Sequence, residues 1–217
     1  MTEQPIKRRR GCLFYAFCIA TFGFVILAGL LLGILQTLRN YTDGSPRSFP
    51  AVNISSADVE QLQRRVESFR ENVRAARPSE PLSLSPKEIN ALIGTYPDLR
   101  VLKGKLYIES FESNQVNAQI SIPGSQIPVG IFKFFKNRYL NGNAILVLSF
   151  KNGTLHLDIQ SVTVKGKALP PRYMELIHGR NLAQVVNNDP RLSVGLNKLQ
   201  SIEVKDGKLV IVPTPPQ

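Results

Sequence analysis

The sequence predicts an α+β protein: a single N-terminal transmembrane helix, then an outer domain with an antiparallel sheet packed on one or two helices. Three observations carry that prediction. A run of 25 residues, Gly11–Leu35, holds no charged side chain. Apolar residues then recur at helical spacing over two segments between Ser55 and Gly94. From Leu99 onward the apolar period changes to two, broken by Gly-containing turns.

Residues 1–10 form a basic segment ending in Lys7, Arg8, Arg9 and Arg10. The uncharged run 11–35 follows; as a helix at about 1.5 Å per residue it would span roughly 37 Å, enough to cross a hydrocarbon core. It is too long for the apolar part of a cleaved signal peptide, and no small-residue cleavage motif follows it. The expectation is therefore an uncleaved signal anchor. With four basic residues before the run and Arg39 alone just after it, the positive-inside rule places the N-terminus in the cytoplasm and the rest outside. Both cysteines, Cys12 and Cys18, lie within the run, so the outer domain has neither a disulfide nor a thiolate metal site. A cysteine-free outer domain suits a bacterial envelope. The tripeptides beginning at Asn40, Asn53 and Asn152 match the glycosylation pattern, but such short matches arise readily by chance.

Residues 36–54 are polar and turn-rich and read as a linker. Residues 55–77 read as an amphipathic helix capped by Ser55 or Ser56. Val59, Leu62, Val66, Phe69 and Val73 form its apolar stripe, which could pack on the protein's own domain or on a second copy through residues 59–73. Residues 82–213 make the main domain. It opens with "SPKEINALIG", where Ser85 is the N-cap, Pro86 the first helical residue and Glu88 the partner of a capping box; Gly94 reads as the stop.

Next, Leu99–Leu102 and Leu106–Phe111 read as strands around a "KGK" turn, and Val116–Ile122 as a further strand. Ala144–Phe150 and Thr154–Lys165 are the longest, joined by "KNG". The first is apolar on both faces, which calls for cover on both sides, by a helix or by a ligand. In the second, apolar parity slips near Gln160–Ser161, the mark of a bulge. A helical stretch, Arg172–Val186, follows and is open to breakage at Gly179. Asp206-Gly207 turns the final hairpin.

Catalytic chemistry is scarce. His156 and Asp158 share a strand face, but no nucleophile motif accompanies them, and a solvated surface pair is the simpler reading. His178 sits near a helix end. Two histidines without outer cysteines do not make a usual zinc site, and no phosphate-binding glycine loop occurs. No catalytic residue, metal or cofactor is expected, and the protein reads as a non-enzyme. The net charge is +11; five of the 27 basic and one of the 16 acidic residues precede residue 41, leaving +7 on the outer domain. Outside a membrane, anionic lipid or an acidic wall polymer fits that charge better than nucleic acid. "GIFKFFKNRYL" interleaves Phe132, Lys133, Phe135, Lys136 and Arg138, a mixture suited to a membrane surface or to core aromatics with snorkelling lysines.

The order of an N-terminal anchor, "SPKEINALI", "NGNAILVLSFKNGTLHLDIQSVTVKGKALP" and "SIEVKDGKLVIVP" resembles the YpmS-like family of bacterial membrane-anchored proteins. More distantly it is similar to tubular lipid-binding domains of the LmeA type. The likeness covers about residues 82–213 and brings no catalytic residues. It implies a curved antiparallel sheet wrapped around a helix, with an apolar groove lined by Leu146, Leu148, Phe150, Leu155, Leu157 and Ile159. The function expected is binding of a membrane lipid or another hydrophobic ligand in the envelope, the alternative a scaffold that recruits another envelope protein.

Overall fold

The computed structural model describes residues 25–29, 32–33, 36, 39–126, 137–175, 178–179, 181–188 and 190–215. The chain divides into two compact units, Met1–Asn40 and Tyr41–Gln217. In the first unit the described residues are helical. Among the described residues no helix is long and apolar enough to cross a membrane, and most of the 11–35 run lies outside them.

The second unit is α+β with a curved antiparallel sheet. Its first helix, α1 (Ser56–Arg74), starts where the Ser55 hydroxyl accepts the Asp58 amide at 3.1 Å. From the expected stripe, Leu62, Phe69 and Val73 are buried while Val59 and Val66 are half-buried. Leu62, Val66, Phe69 and Val73 cluster with Leu82, Leu84, Ala91 and Leu92, so that part of the stripe packs on the protein's own domain. Those partners come from β1 (Leu82–Leu84) and α2 (Pro86–Thr95). The capping box of α2 is complete: the Glu88 amide donates to the Ser85 hydroxyl and the Ser85 amide donates to the Glu88 carboxylate at 2.8 Å. Tyr96 ties the two helices together, donating to Glu67 at 2.8 Å and accepting from Arg70.

Two expectations fail here. Gly94 does not stop α2, which runs on to Thr95 and ends at Tyr96, held extended by the following Pro97. Leu99–Leu102 is not a strand but part of a 3-10 helix, Pro97–Leu102, because Pro97 sets a helical first position. The first hairpin therefore forms one element later.

That hairpin joins β2 (Leu106–Glu112) to β3 (Gln115–Pro123). The sheet continues through β4 (Tyr139–Lys151), β5 (Thr154–Val164) and β6 (Lys167–Ala168), in the order β2-β3-β4-β5-β6. The β4–β5 turn puts Asn152 and Gly153 at φ of 50° and 73°, the left-handed pair that a two-residue hairpin requires. In place of one helical stretch over Arg172–Val186, the structure has α3 (Pro171–Met174), an interruption with Gly179 at φ 73°, and α4 (Gln184–Asn188). Then come α5 (Pro190–Leu196), β7 (Leu199–Lys205) and β8 (Lys208–Pro213). The last two strands form a second sheet of order β1-β8-β7.

One face of the large sheet makes the core. Phe111, Val116, Ala118, Ala144, Leu146, Val162 and Val164 are buried there with Ile202 of β7. Leu199, Leu209 and Ile211 also touch the α1–α2 cluster and join the two.

The stretch expected as a linker is held on the domain from Tyr41 on. Asp43 forms a two-bond bridge with Tyr139, 2.9 Å each way, and Arg47 donates to Ser121 and Asn141. Val52 and Ile54 pack beside α1. Turn-forming composition marks the absence of a regular element; it does not mark freedom from the fold.

Candidate functional site

The two long strands place the six expected groove residues on one face. Leu146 pairs with Ile159, Leu148 with Leu157 and Phe150 with Leu155. The register shifts between Ile145, opposite Ser161, and Leu146, opposite Ile159, so Gln160 is the extra residue of a β-bulge. The bulge lies where apolar parity slips in the sequence. It keeps Ile159 and Val162 on the same face although they are three residues apart.

Burial changes across that bulge. Val162 and Val164 are 2% and 0% exposed, sealed in the core. Leu155, Leu157 and Ile159, with Phe150 opposite, are only half-buried against the same core. Beside them on β4, Leu146 and Leu148 are 4% and 9% exposed and belong to the packed interior. The six residues are thus brought together on one face but differ in burial: two belong to the core and four to its partly open border.

Beside this border the margin of β5 is closed by asparagine side chains. The Leu155 amide donates to Asn187 Oδ1 at 3.1 Å, and its carbonyl accepts from Asn181 and Asn187 Nδ2 at 2.8 and 2.7 Å. The Leu157 amide donates to Asn181 Oδ1 at 3.0 Å, and its carbonyl accepts the Leu182 amide at 2.9 Å. Sequence reasoning missed Asn181 and Asn187, whose one outward sign is an Asn on either side of a short apolar run.

The other face of β4 carries Ile145 and Val147, both half-buried. Gln115 of β3 and Gln160 of β5 flank β4, and the 2.9 Å bond between their side chains crosses that face. This amide bridge contributes part of the cover that the two-faced strand called for.

His156 stands opposite Ser149, and Asp158 opposite Val147. Among the described residues neither side chain has a hydrogen-bond or ion-pair partner, so they form no dyad. Nor do the described residues contain a cluster of three His, Cys, Asp or Glu side chains able to hold a metal. A polar cleft of about 280 Å³ lies between α1 and the start of α2, lined by Ile54, Asp58, Gln61, Leu62, Arg65, Lys87 and Glu88. The Arg65–Glu88 ion pair, 2.6 Å long, crosses it.

Of the expected membrane-surface residues, Phe132, Lys133, Phe135 and Lys136 lie outside the described residues. Arg138 is committed to the start of the second unit: its Nε donates to Thr42 Oγ1 at 2.6 Å and its Nη2 to the Thr42 carbonyl at 2.8 Å. Lys165 donates to that carbonyl at 2.9 Å and pairs with Asp43 at 2.9 Å.

No protein-family model, curated protein or solved structure matches the chain.

Proposed function

We propose that the protein is a membrane-anchored extracytoplasmic module of the bacterial envelope. It binds a lipid or another hydrophobic ligand along Phe150, Leu155, Leu157 and Ile159, and does no catalysis. The observation that carries this reading is the change of burial within β5. Its face is closed at Val162 and Val164 but half-open at three consecutive inward positions before the bulge. Aliphatic side chains at the rim of a core are the surface on which an acyl chain gains burial, at about 25 cal/mol per Å² covered. The uncharged run 11–35 supports anchoring, and the basic segment before it supports the outward orientation. The resemblance to YpmS-like and LmeA-type proteins is consistent with both.

The test is mass spectrometry of lipid extracted from residues 41–217 purified from a bacterial envelope without detergent. A stoichiometric lipid, lost in Leu157→Gln while the fold is kept, supports the carrier or sensor reading. Leu157 suits the experiment better than Leu146 or Leu148, whose burial makes a polar substitution there a test of folding. A lipid-free, stably folded domain instead favours a scaffold. The burial of Leu146 and Leu148 is the observation on that side, since both already have protein neighbours.

A further inference from the structure

The start of the second unit is fixed at one end of the large sheet, and that end is basic. Thr42, 1% exposed, is held by Arg138 before β4 and by Lys165 at the β5–β6 turn. Tyr41 meets the Tyr173 ring edge-on, centroids 6.5 Å apart. Around this point Lys165 lies in the β5–β6 turn, Lys167 begins β6, and the Arg172 guanidinium lies 4.7 Å over the Tyr173 ring. Lys165, Lys167 and Arg172 are exposed. Among the described residues neither Lys167 nor Arg172 has a carboxylate partner, whereas Lys165 shares Asp43.

We infer that this end of the sheet is a binding surface for anionic phospholipid headgroups of the bilayer in which the chain is anchored. The inference rests on the anchoring proposed above. Only residues 36–40 separate the apolar run from Tyr41, and five residues reach at most about 17 Å. Because residues 41–47 are fastened to the sheet, they add no slack. The end of the domain that carries Tyr41 is therefore tethered at most about 17 Å from the bilayer surface, and its closer approaches bring it within the roughly 8–10 Å over which a negative leaflet attracts cations. Two exposed cations without carboxylate partners are available for phosphate there. Tyr41, half-buried against the core residue Tyr173, is of the residue type that favours the headgroup layer.

The experiment is hydrogen exchange on the full chain in nanodiscs of phosphatidylcholine, alone or mixed with phosphatidylglycerol. Amides of residues 165–175 should exchange at least about fivefold more slowly in the mixed bilayer, the factor one basic residue contributes at an anionic surface. Raising salt to about 1 M, where screening acts within roughly 3 Å, should remove the difference. So should the double variant Lys167→Gln, Arg172→Gln, with unchanged exchange in β3 and β4 certifying its fold. Equal exchange in the two bilayers overturns the inference. The same slowing caused by a soluble polyphosphate in a phosphatidylcholine disc overturns the bilayer as the partner. Failure of the chain to enter nanodiscs at all overturns the anchoring reading, and this inference with it.

Discussion

The side-chain amide of Asn90 takes the place of a strand beside Ile108. Its Nδ2 donates to the Ile108 carbonyl at 2.7 Å, and its Oδ1 accepts the Ile108 amide at 2.8 Å. Ile108 lies on β2, the edge of the large sheet, where backbone groups would otherwise be left unpaired. At the other margin Asn181 and Asn187 do the same for Leu155 and Leu157. A primary amide carries a donor and an acceptor at a spacing close to that of a peptide group. It can therefore close an edge without extending the sheet.

Asn90→Ala should lower stability by about 2–4 kcal/mol, because it leaves two buried backbone groups without partners. Urea unfolding followed by circular dichroism measures this. A loss below about 0.5 kcal/mol would mean that water satisfies the Ile108 groups and that the amide is dispensable.

Acid should weaken the junction of α1 and α2 through Glu88. Burial alone would push its carboxyl up, but the Ser85 amide and hydroxyl and the Arg65 guanidinium outweigh that and hold it below the ordinary 4.5. A carboxyl lowered on folding contributes stability that is complete above its ordinary value and is lost as pH falls through the lowered one. Glu88→Gln should therefore flatten the decline in melting temperature below about pH 4.5 and change the slope little between pH 6 and 8. Parallel wild-type and variant curves across the acid range would show that other carboxylates govern it.

What the sequence showed and what it hid divide by the range of the interaction. The Ser85–Glu88 capping box, the Asn152-Gly153 turn and the bulge at Gln160 are visible because their causes sit within a few residues. The bulge in particular is written in the parity change between Ile159 and Val162. The fastening of Thr42 by Arg138 joins residues 96 apart, and no local pattern announces it. The same holds for Asn181 at β5. Leu99–Leu102 misled because alternation over four residues fits a 3-10 turn as well as a strand, and Pro97 decided between them. The candidate face was legible as a set of apolar positions. Its division into core and rim depends on what packs above each strand, which spacing along one chain does not encode.

Gly142→Ala should cost about 1–3 kcal/mol although its backbone is ordinary for any residue. A Cβ there would stand 2.5 Å from the Thr163 carbonyl oxygen and 3.2 Å from Val164 Cγ2. The first neighbour is backbone and cannot swing aside, so β4 and β5 would have to part where Gly142 faces Val164. Thermal unfolding reads the loss, and faster exchange of the 162–164 amides locates it. Wild-type stability would mean that the two strands separate there at little cost.

Thr42→Val tests the fastening of residues 41–47 to the sheet. Valine keeps the shape of threonine but cannot accept the Arg138 Nε–H, now bound at 2.6 Å; the bond from Arg138 to the Thr42 carbonyl remains. A lost hydrogen bond to a charged donor at a buried position costs about 1.5–3 kcal/mol. Thr42→Ser, which keeps the acceptor, should cost less. The local readout is trypsin cleavage after Arg47, whose guanidinium donates to Gly142 and Asn143 in the intact fold. If the segment detaches as a unit, cleavage in the valine variant speeds up by about tenfold or more while exchange in β3–β5 is unchanged. If cleavage accelerates only as far as global stability falls, the segment is part of the main cooperative unit. Thr42 then acts as an ordinary core residue of the sheet rather than as a separate clasp.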